Sequence, residues 1–277
     1  MTDAPPPITG DEYAIAAHDL GVHYSLRFNR KKSVQRTLSH LLTRSPVEQF
    51  WALRHVSLRV VRGESLAVIG PNGAGKSTLL QVLAGIIRPS EGTVDVRGHV
   101  SALLTLGAGF DAELTGSENI LLAGAFLGLD DATTRELLPE VVAFADLGQF
   151  IDVPLKTYSS GMRARLGFAI ATSVDPDVLL LDEVLATGDA TFRAKSKARV
   201  LELVNGAKAV VLVTHDMAWV TEYCNRALLI RHGQVVIEGE PEEVVEAHRR
   251  HTDDERTTRA REAEAAGLSA AIAAKPR

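Results

Sequence analysis

Two segments of the chain, Val178-Leu179-Leu180-Leu181 and Val210-Val211-Leu212-Val213, are apolar at every position, and a third, Ser65-Leu66-Ala67-Val68-Ile69, is nearly so. Strands apolar on both faces belong in a parallel sheet covered by helices, so the pattern predicts an α/β fold. The third run breaks into a glycine-rich loop; the other two end in Asp182-Glu183 and in Thr214-His215-Asp216. Residues 13–24 predict a first strand with a loop, Leu53–Val60 a second strand, and residues 92–104 short strands. Residues 114–148 alternate apolar and polar positions at helical spacing. Residues 227–238 predict a hairpin turning at His232-Gly233.

The remaining segments are polar. Residues 1–12 are Pro-rich and predict a flexible N-terminus. Residues 25–49 form a basic insert, with Arg27, Arg30, Lys31, Lys32, Arg36 and Arg44 against Glu48. Within it Val34, Leu38, Leu41 and Leu42 fall at helical spacing, which predicts an amphipathic helix. Residues 251–277 form an Ala-, Glu- and Arg-rich tail with little apolar face to pack. There is no internal repeat.

Composition narrows the function. A formal net charge of -5 and only 5% aromatic residues argue against a nucleic-acid partner. The single cysteine, Cys224, excludes an internal disulfide and suits a reducing compartment. The N-terminus reads as no signal peptide, and no apolar run reaches the roughly 18–20 residues that cross a bilayer. Any membrane crossing is expected from a partner.

Gly70-Pro71-Asn72-Gly73-Ala74-Gly75-Lys76-Ser77-Thr78 fits the phosphate-binding pattern G-x-x-x-x-G-K-[ST], with an apolar strand before it and a helical run after it. Glycines let the backbone curl so that N–H groups converge on phosphate oxygens, and the following helix adds its positive dipole end. Lys76 is expected to hold the β- and γ-phosphates of ATP, and the Ser77 hydroxyl to ligate Mg2+. Asp182 ends an apolar strand expected to neighbour the P-loop strand, and would hold Mg2+ through water. Glu183 would orient and polarise the attacking water. Either acid alone reads as a helix cap after a core strand; behind a P-loop they read as catalytic chemistry. His215, at the end of the third apolar run, is expected to contact the γ-phosphate.

Tyr158-Ser159-Ser160-Gly161-Met162, before the helical run 163–171, resembles the signature of ABC ATPases, which is Leu-Ser-Gly-Gly-Gln in most of the family. The resemblance covers residues 13–250. It implies a P-loop NTPase core with a mostly parallel sheet, an antiparallel β subdomain, and an α-helical signature subdomain at about 105–165. It also implies a head-to-tail homodimer sandwiching two ATP molecules, in which Ser159, Ser160 and Gly161 meet the γ-phosphate held by the other copy. By the same resemblance Asp189 is the D-loop aspartate, and Tyr24 stacks on adenine, with Trp51 as its competitor. The family's Q-loop glutamine is replaced by Leu106-Gly107-Ala108-Gly109-Phe110.

Three details are similar to the ATPases that export O-antigen, teichoic acid or galactan. They are the Tyr-Ser-Ser-Gly-Met signature, the stretch from Leu106 to Asn119, and the basic insert. The resemblance implies a peripheral subunit on the cytoplasmic face of the cell membrane, an integral membrane permease as partner, and a lipid-linked glycan as substrate. The C-terminal tail is too short for the carbohydrate-binding domain that some of these proteins carry. Two rivals stay open: an ABC ATPase subunit for another exported substrate, and a soluble ABC ATPase without a transport role.

Overall fold

The computed structural model describes residues 13–26, 48–104, 107, 109–182, 189–254 and 257. The N-terminal 12 residues, most of the basic insert (27–47), Leu106 and Ala108, the segment 183–188 with Glu183, and most of the tail lie outside the described residues.

Among the described residues, nine strands form two sheets. β1 (Tyr13–Leu26), β2 (Glu48–Val61) and β4 (Glu91–Val96) make an antiparallel sheet in the order β2-β1-β4. The two ends of the 25–49 segment are strand, and the helix expected around residues 34–42 lies outside the described residues. The second sheet contains β3 (Glu64–Ile69), β5 (Val100–Leu103), β6 (Val178–Asp182), β7 (Ala209–Val213), β8 (Arg226–Arg231) and β9 (Gln234–Gly239). Its order is β5-β6-β7-β3-β8-β9, parallel except for β9, which returns beside β8 as the expected hairpin.

The apolar runs are buried as their pattern requires: every residue of β7 is buried, as are the first four of β6. Removing a Val or Leu side chain from water stabilises the fold by roughly 1.5–3 kcal/mol. Helix α1 (Lys76–Leu83) covers one face of the sheet through Leu79, Leu80 and Leu83. On the other face α5 (Ala190–Gly206) packs Phe192, Val200 and Leu203 against Leu179, Leu181 and Leu212. Beside it, α6 (Met217–Tyr223) and α7 (residues 241–254) bury Val220, Val244 and Val245 against Ile69 and Leu229. Cys224 is held in this layer, where burial pushes its thiol up to about 12.

Helices α2 (Gly116–Phe126), α3 (Asp131–Ala145) and α4 (Ser160–Ala171) form a separate layer around Ile120, Val141, Leu155, Tyr158 and Leu166. Local chemistry fixes where they start. Thr115 caps α2 by accepting from the Glu118 N–H, while the Glu118 carboxylate accepts from the Thr115 N–H at 2.8 Å, a reciprocal capping box. Asp130 caps α3 through the Thr133 N–H. Asn119 is fully buried, and its amide stitches the preceding loop: Oδ1 accepts from the Asp111 N–H, and Nδ2 donates to the carbonyls of Asp111, Leu114 and Thr115. No described helix is long and apolar enough to cross a membrane.

Candidate functional site

The loop from Gly70 to Gly75 turns the chain out of β3 and into α1. Gly70, Gly73 and Gly75 take φ of 149, 75 and 108 degrees. Gly75 is the N-cap of α1 and offers no side chain to the first N–H groups of that helix, leaving a ring of donors for an anion. Lys76 is buried, and its ammonium donates to the carbonyls of Gly70 (2.8 Å) and Pro71 (2.9 Å), which brace the loop from inside. Asn72, Gly73 and Ser77 are exposed, Pro71 and Thr78 half-buried, and Ala74 buried.

Two distant segments wall the loop. A Cβ on Gly75 would lie 2.5 Å from the Ala52 carbonyl oxygen and 2.7 Å from Leu53 Cδ2, so β2 touches the loop backbone directly. On the other side the β8–β9 turn donates its Gly233 N–H to the Ala74 carbonyl at 3.0 Å, and the Gly233 carbonyl accepts from the Arg54 N–H at 2.8 Å. Nothing in the motif pattern announces these contacts.

Asp182 stands half-buried at the carboxyl end of β6, aligned across the sheet with Val213 of β7 and Val68 of β3. The expectation that its strand neighbours the P-loop strand is corrected: β7 lies between them. At about 4.8 Å per strand, Asp182 is two spacings from β3. Helix α1 nonetheless packs on β6 and β7, which brings its first turn, with Ser77, to the same edge. A hydroxyl and a carboxylate are hard oxygen donors and fit a magnesium ion that keeps waters and phosphate oxygens as its other ligands. His215 follows β7 and is exposed; Asp216 behind it caps α6 through the Ala218 and Trp219 N–H groups.

Ser159 and Ser160 are exposed at the start of α4, and Gly161 is half-buried, where a Cβ would meet the Ser159 hydroxyl oxygen at 3.8 Å. The Ser159 hydroxyl accepts from the Met162 N–H at 3.2 Å as a helix cap, and no acid lies in the first turn. This terminus belongs to the helical layer, while the P-loop rests on the sheet.

Of the aromatic candidates, Trp51 is already engaged, in a T-shaped pair with His23 (ring centroids 5.0 Å apart) and with the Arg54 guanidinium 5.1 Å from its ring centroid. Tyr24 and Phe50 are cross-strand partners, 40% and 51% exposed.

Asp189 is engaged within its own chain. It is the N-cap of α5: Oδ1 accepts from the Phe192 N–H at 2.9 Å, and Oδ2 is paired with Arg165 of α4. These two contacts, in that order, hold its carboxyl below the usual carboxylate range. Arg165 also donates to the Asp146 carbonyl at the end of α3 (3.2 Å) and lies 5.0 Å from the Phe192 ring centroid. Helix α5 reciprocates. Lys195 donates to the Ala143 and Phe144 carbonyls of α3, and Arg199 to the Thr172 carbonyl that follows α4. Sequence reasoning passed over Arg165, because its partners come from α3 and α5.

Arg165→Ala should lower the thermal unfolding midpoint by about 2–4 °C. A depressed folded pKa means that the Asp189 contribution is present above the unfolded value and fades as pH falls through the folded one. The gap between variant and wild type in parallel melts should therefore narrow in acid.

Comparison with known proteins agrees with this architecture. Residues 53–186 match the ABC transporter family model. An O-antigen export system ATP-binding protein RfbB of Myxococcus xanthus is 46% identical over 198 residues, 72% of this chain and 45% of that protein. An RfbB of Klebsiella pneumoniae is 41% identical, covering 73% of this chain and 82% of its own length. The teichoic acids export ATP-binding protein TagH of Bacillus anthracis is 41% identical over 72% of this chain but only 36% of its own. The chain thus spans less than half of two of these relatives and most of the third. The dimeric, ADP- and Pi-bound ATP-binding cassette MJ0796 superposes with a TM-score of 0.62 at 22% identity, over 82% of this chain and 98% of that one, a likeness of fold. With its P-loop and two-sheet core, and with a relative matched over 82% of that protein's length, the chain belongs to the ABC transporter family.

Proposed function

We propose that this chain hydrolyses ATP as one of two identical subunits driving export of a lipid-linked polysaccharide through an integral membrane permease, at the cytoplasmic face of the cell membrane. The observation that carries it is the pair of uncapped or hydroxyl-capped helix starts, α1 behind Lys76 and α4 behind Ser159, each able to face the same phosphate from a different copy. The export relatives support the polysaccharide class.

In this reading Lys76 and the loop N–H groups hold the β- and γ-phosphates. Ser159, Ser160 and Gly161 of a second copy close over them. Mg2+, held by Ser77 and through water by Asp182, would neutralise charge on the phosphate oxygens. Glu183 takes a proton from water as its oxygen attacks the γ-phosphorus; the bond to the β–γ bridging oxygen breaks, and ADP leaves with that electron pair. His215 contacts the transferring phosphate, and Tyr24 stacks on adenine. Hydrolysis removes the bridge between copies and reopens the dimer, a two-state element biased by ligand.

Glu183→Gln with ATP and Mg2+ should retain nucleotide and run as a dimer in size-exclusion chromatography. Adding Ser159→Arg should return it to monomer while each P-loop still binds ATP. A Glu183→Gln protein that stays monomeric at saturating ATP, and copurifies with no integral membrane protein, would overturn the reading.

A further inference from the structure

Two stretches far apart in sequence, residues 112–119 and the signature, are in contact. The first signature position, leucine in most of the family, is Tyr158 here. Its side chain is buried, and its hydroxyl donates to the Phe150 carbonyl at 2.5 Å. Burial, and after it the charge of Asp152, push the phenol's pKa up, so the hydroxyl stays a donor. Against that hydroxyl lies Gly116, the first residue of α2. A Cβ there would stand 2.5 Å from the Tyr158 hydroxyl oxygen, 2.8 Å from Ile151 Cδ1 and 2.9 Å from the Ile151 carbonyl oxygen. Gly116 is not among the glycines with positive φ, so what the position requires is the room that a missing side chain leaves. Backbone contacts run alongside. The Leu155 N–H donates to the Leu114 carbonyl and the Lys156 N–H to the Ala112 carbonyl, each at 2.9 Å, and Lys156 pairs with Glu113 at 2.6 Å. At its other end Tyr158 accepts through its carbonyl from the Arg163 guanidinium at 3.2 Å. The next residue is Ser159, the cap of α4.

We infer that Tyr158 is a positioning residue of the ATP sandwich: its hydroxyl, wedged between Gly116 and the Phe150 carbonyl, fixes where Ser159 stands relative to α2. The inference rests on the reading in which Ser159 meets the phosphate held by a second copy. Tyr158 is buried and acts through the serine beside it. The signature is thereby registered on the loop before α2 as well as on its own helix, and a displacement of that loop is carried to Ser159. Without the hydroxyl, the Phe150 carbonyl loses this donor and a gap opens against Gly116. The segment before Ser159 then has more than one place to sit, and the arrangement that closes over phosphate is populated less. Closure weakens by the fraction lost, while binding of ATP by the P-loop of a single copy stays as it was.

The test is ATP-driven dimerisation of the full chain in a Glu183→Gln background, by sedimentation over a range of protein concentrations at saturating ATP and Mg2+. A fluorescent ATP analogue, titrated into protein too dilute to dimerise, reports the P-loop alone. Tyr158→Phe should raise the dimer dissociation constant by about tenfold with analogue binding unchanged. Val141→Ala, a core truncation in the same helical layer away from the signature, should lower the melting temperature at least as far and leave the dimer constant within about twofold. Gly116→Ala should also weaken the dimer, and less so when Tyr158→Phe is already present, because both act on one contact. Dimerisation of Tyr158→Phe equal to its parent's overturns the role of Tyr158 and leaves the sandwich intact. Losses in Tyr158→Phe and Val141→Ala that simply follow their melting temperatures overturn it too, since general loosening then suffices. A Glu183→Gln parent that never dimerises overturns the sandwich and this inference with it. Should Gly116→Ala fail to fold, Tyr158→Phe against Val141→Ala decides alone.

Discussion

Lys76→Ala should weaken ATP binding by about a hundredfold, equivalent to ~3 kcal/mol for a charge-assisted contact with phosphate, while the protein remains folded. The two halves of that expectation have different causes. In the described structure the ammonium is buried and braces the Gly70 and Pro71 carbonyls at 2.8 and 2.9 Å. Burying a charge is itself costly, so its removal takes away a desolvation penalty together with two hydrogen bonds. The melting temperature should therefore move by no more than about 2–4 °C. Affinity has no such compensation, because the phosphate then loses the one point charge inside the loop. Titration of ATP followed by calorimetry, beside a thermal melt, separates the effects. A variant that binds ATP as the wild type does would remove the lysine from the site.

Gly75→Ala should damage binding as severely and should also destabilise the fold. The backbone there holds φ at 108 degrees, a region that costs an L-residue on the order of 1–3 kcal/mol. The new methyl would also sit 2.5 Å from the Ala52 carbonyl oxygen, a backbone atom that cannot rotate out of the way. Relief must come from shifting the loop, which carries the first N–H groups of α1 away from the phosphate. Gly73→Ala is the matched control. Its φ is 75 degrees, but nothing lies within 4 Å of the added carbon, so only the strain remains. The expected ranking in both melting temperature and ATP affinity is wild type, then Gly73→Ala, then Gly75→Ala. Equal behaviour of the two alanine variants would show that β2 does not confine the loop.

The parts of this molecule that were readable in sequence are those made by contiguous residues. The strand–loop–helix unit from Ser65 to Leu83 carries its own periodicity and its own turn residues, as does the hairpin at His232-Gly233. The Ser159 cap follows from a serine before a helical run. Sheet order is different in kind. β3, β6 and β7 all carry long apolar runs, and pattern alone does not say which lies in the middle, so Asp182 is expected one strand too close. Arg165 was missed for the same reason: it draws its partners from segments far apart in the chain. The resemblance gives Asp189 a place in the nucleotide site, while its pairing with Arg165 across α4 and α5 shows only in three dimensions.

The Ala52 carbonyl confines more than Gly75. A side-chain carbon on Gly233 would lie 2.7 Å from that same oxygen, where φ is already 76 degrees. Three stretches of sequence with no local relation, the start of β2, the phosphate loop and the β8–β9 turn, therefore share a single joint. Drift at any one of them is vetoed by the other two, and a graft that transplants the nucleotide loop into a new scaffold would have to carry all three across together.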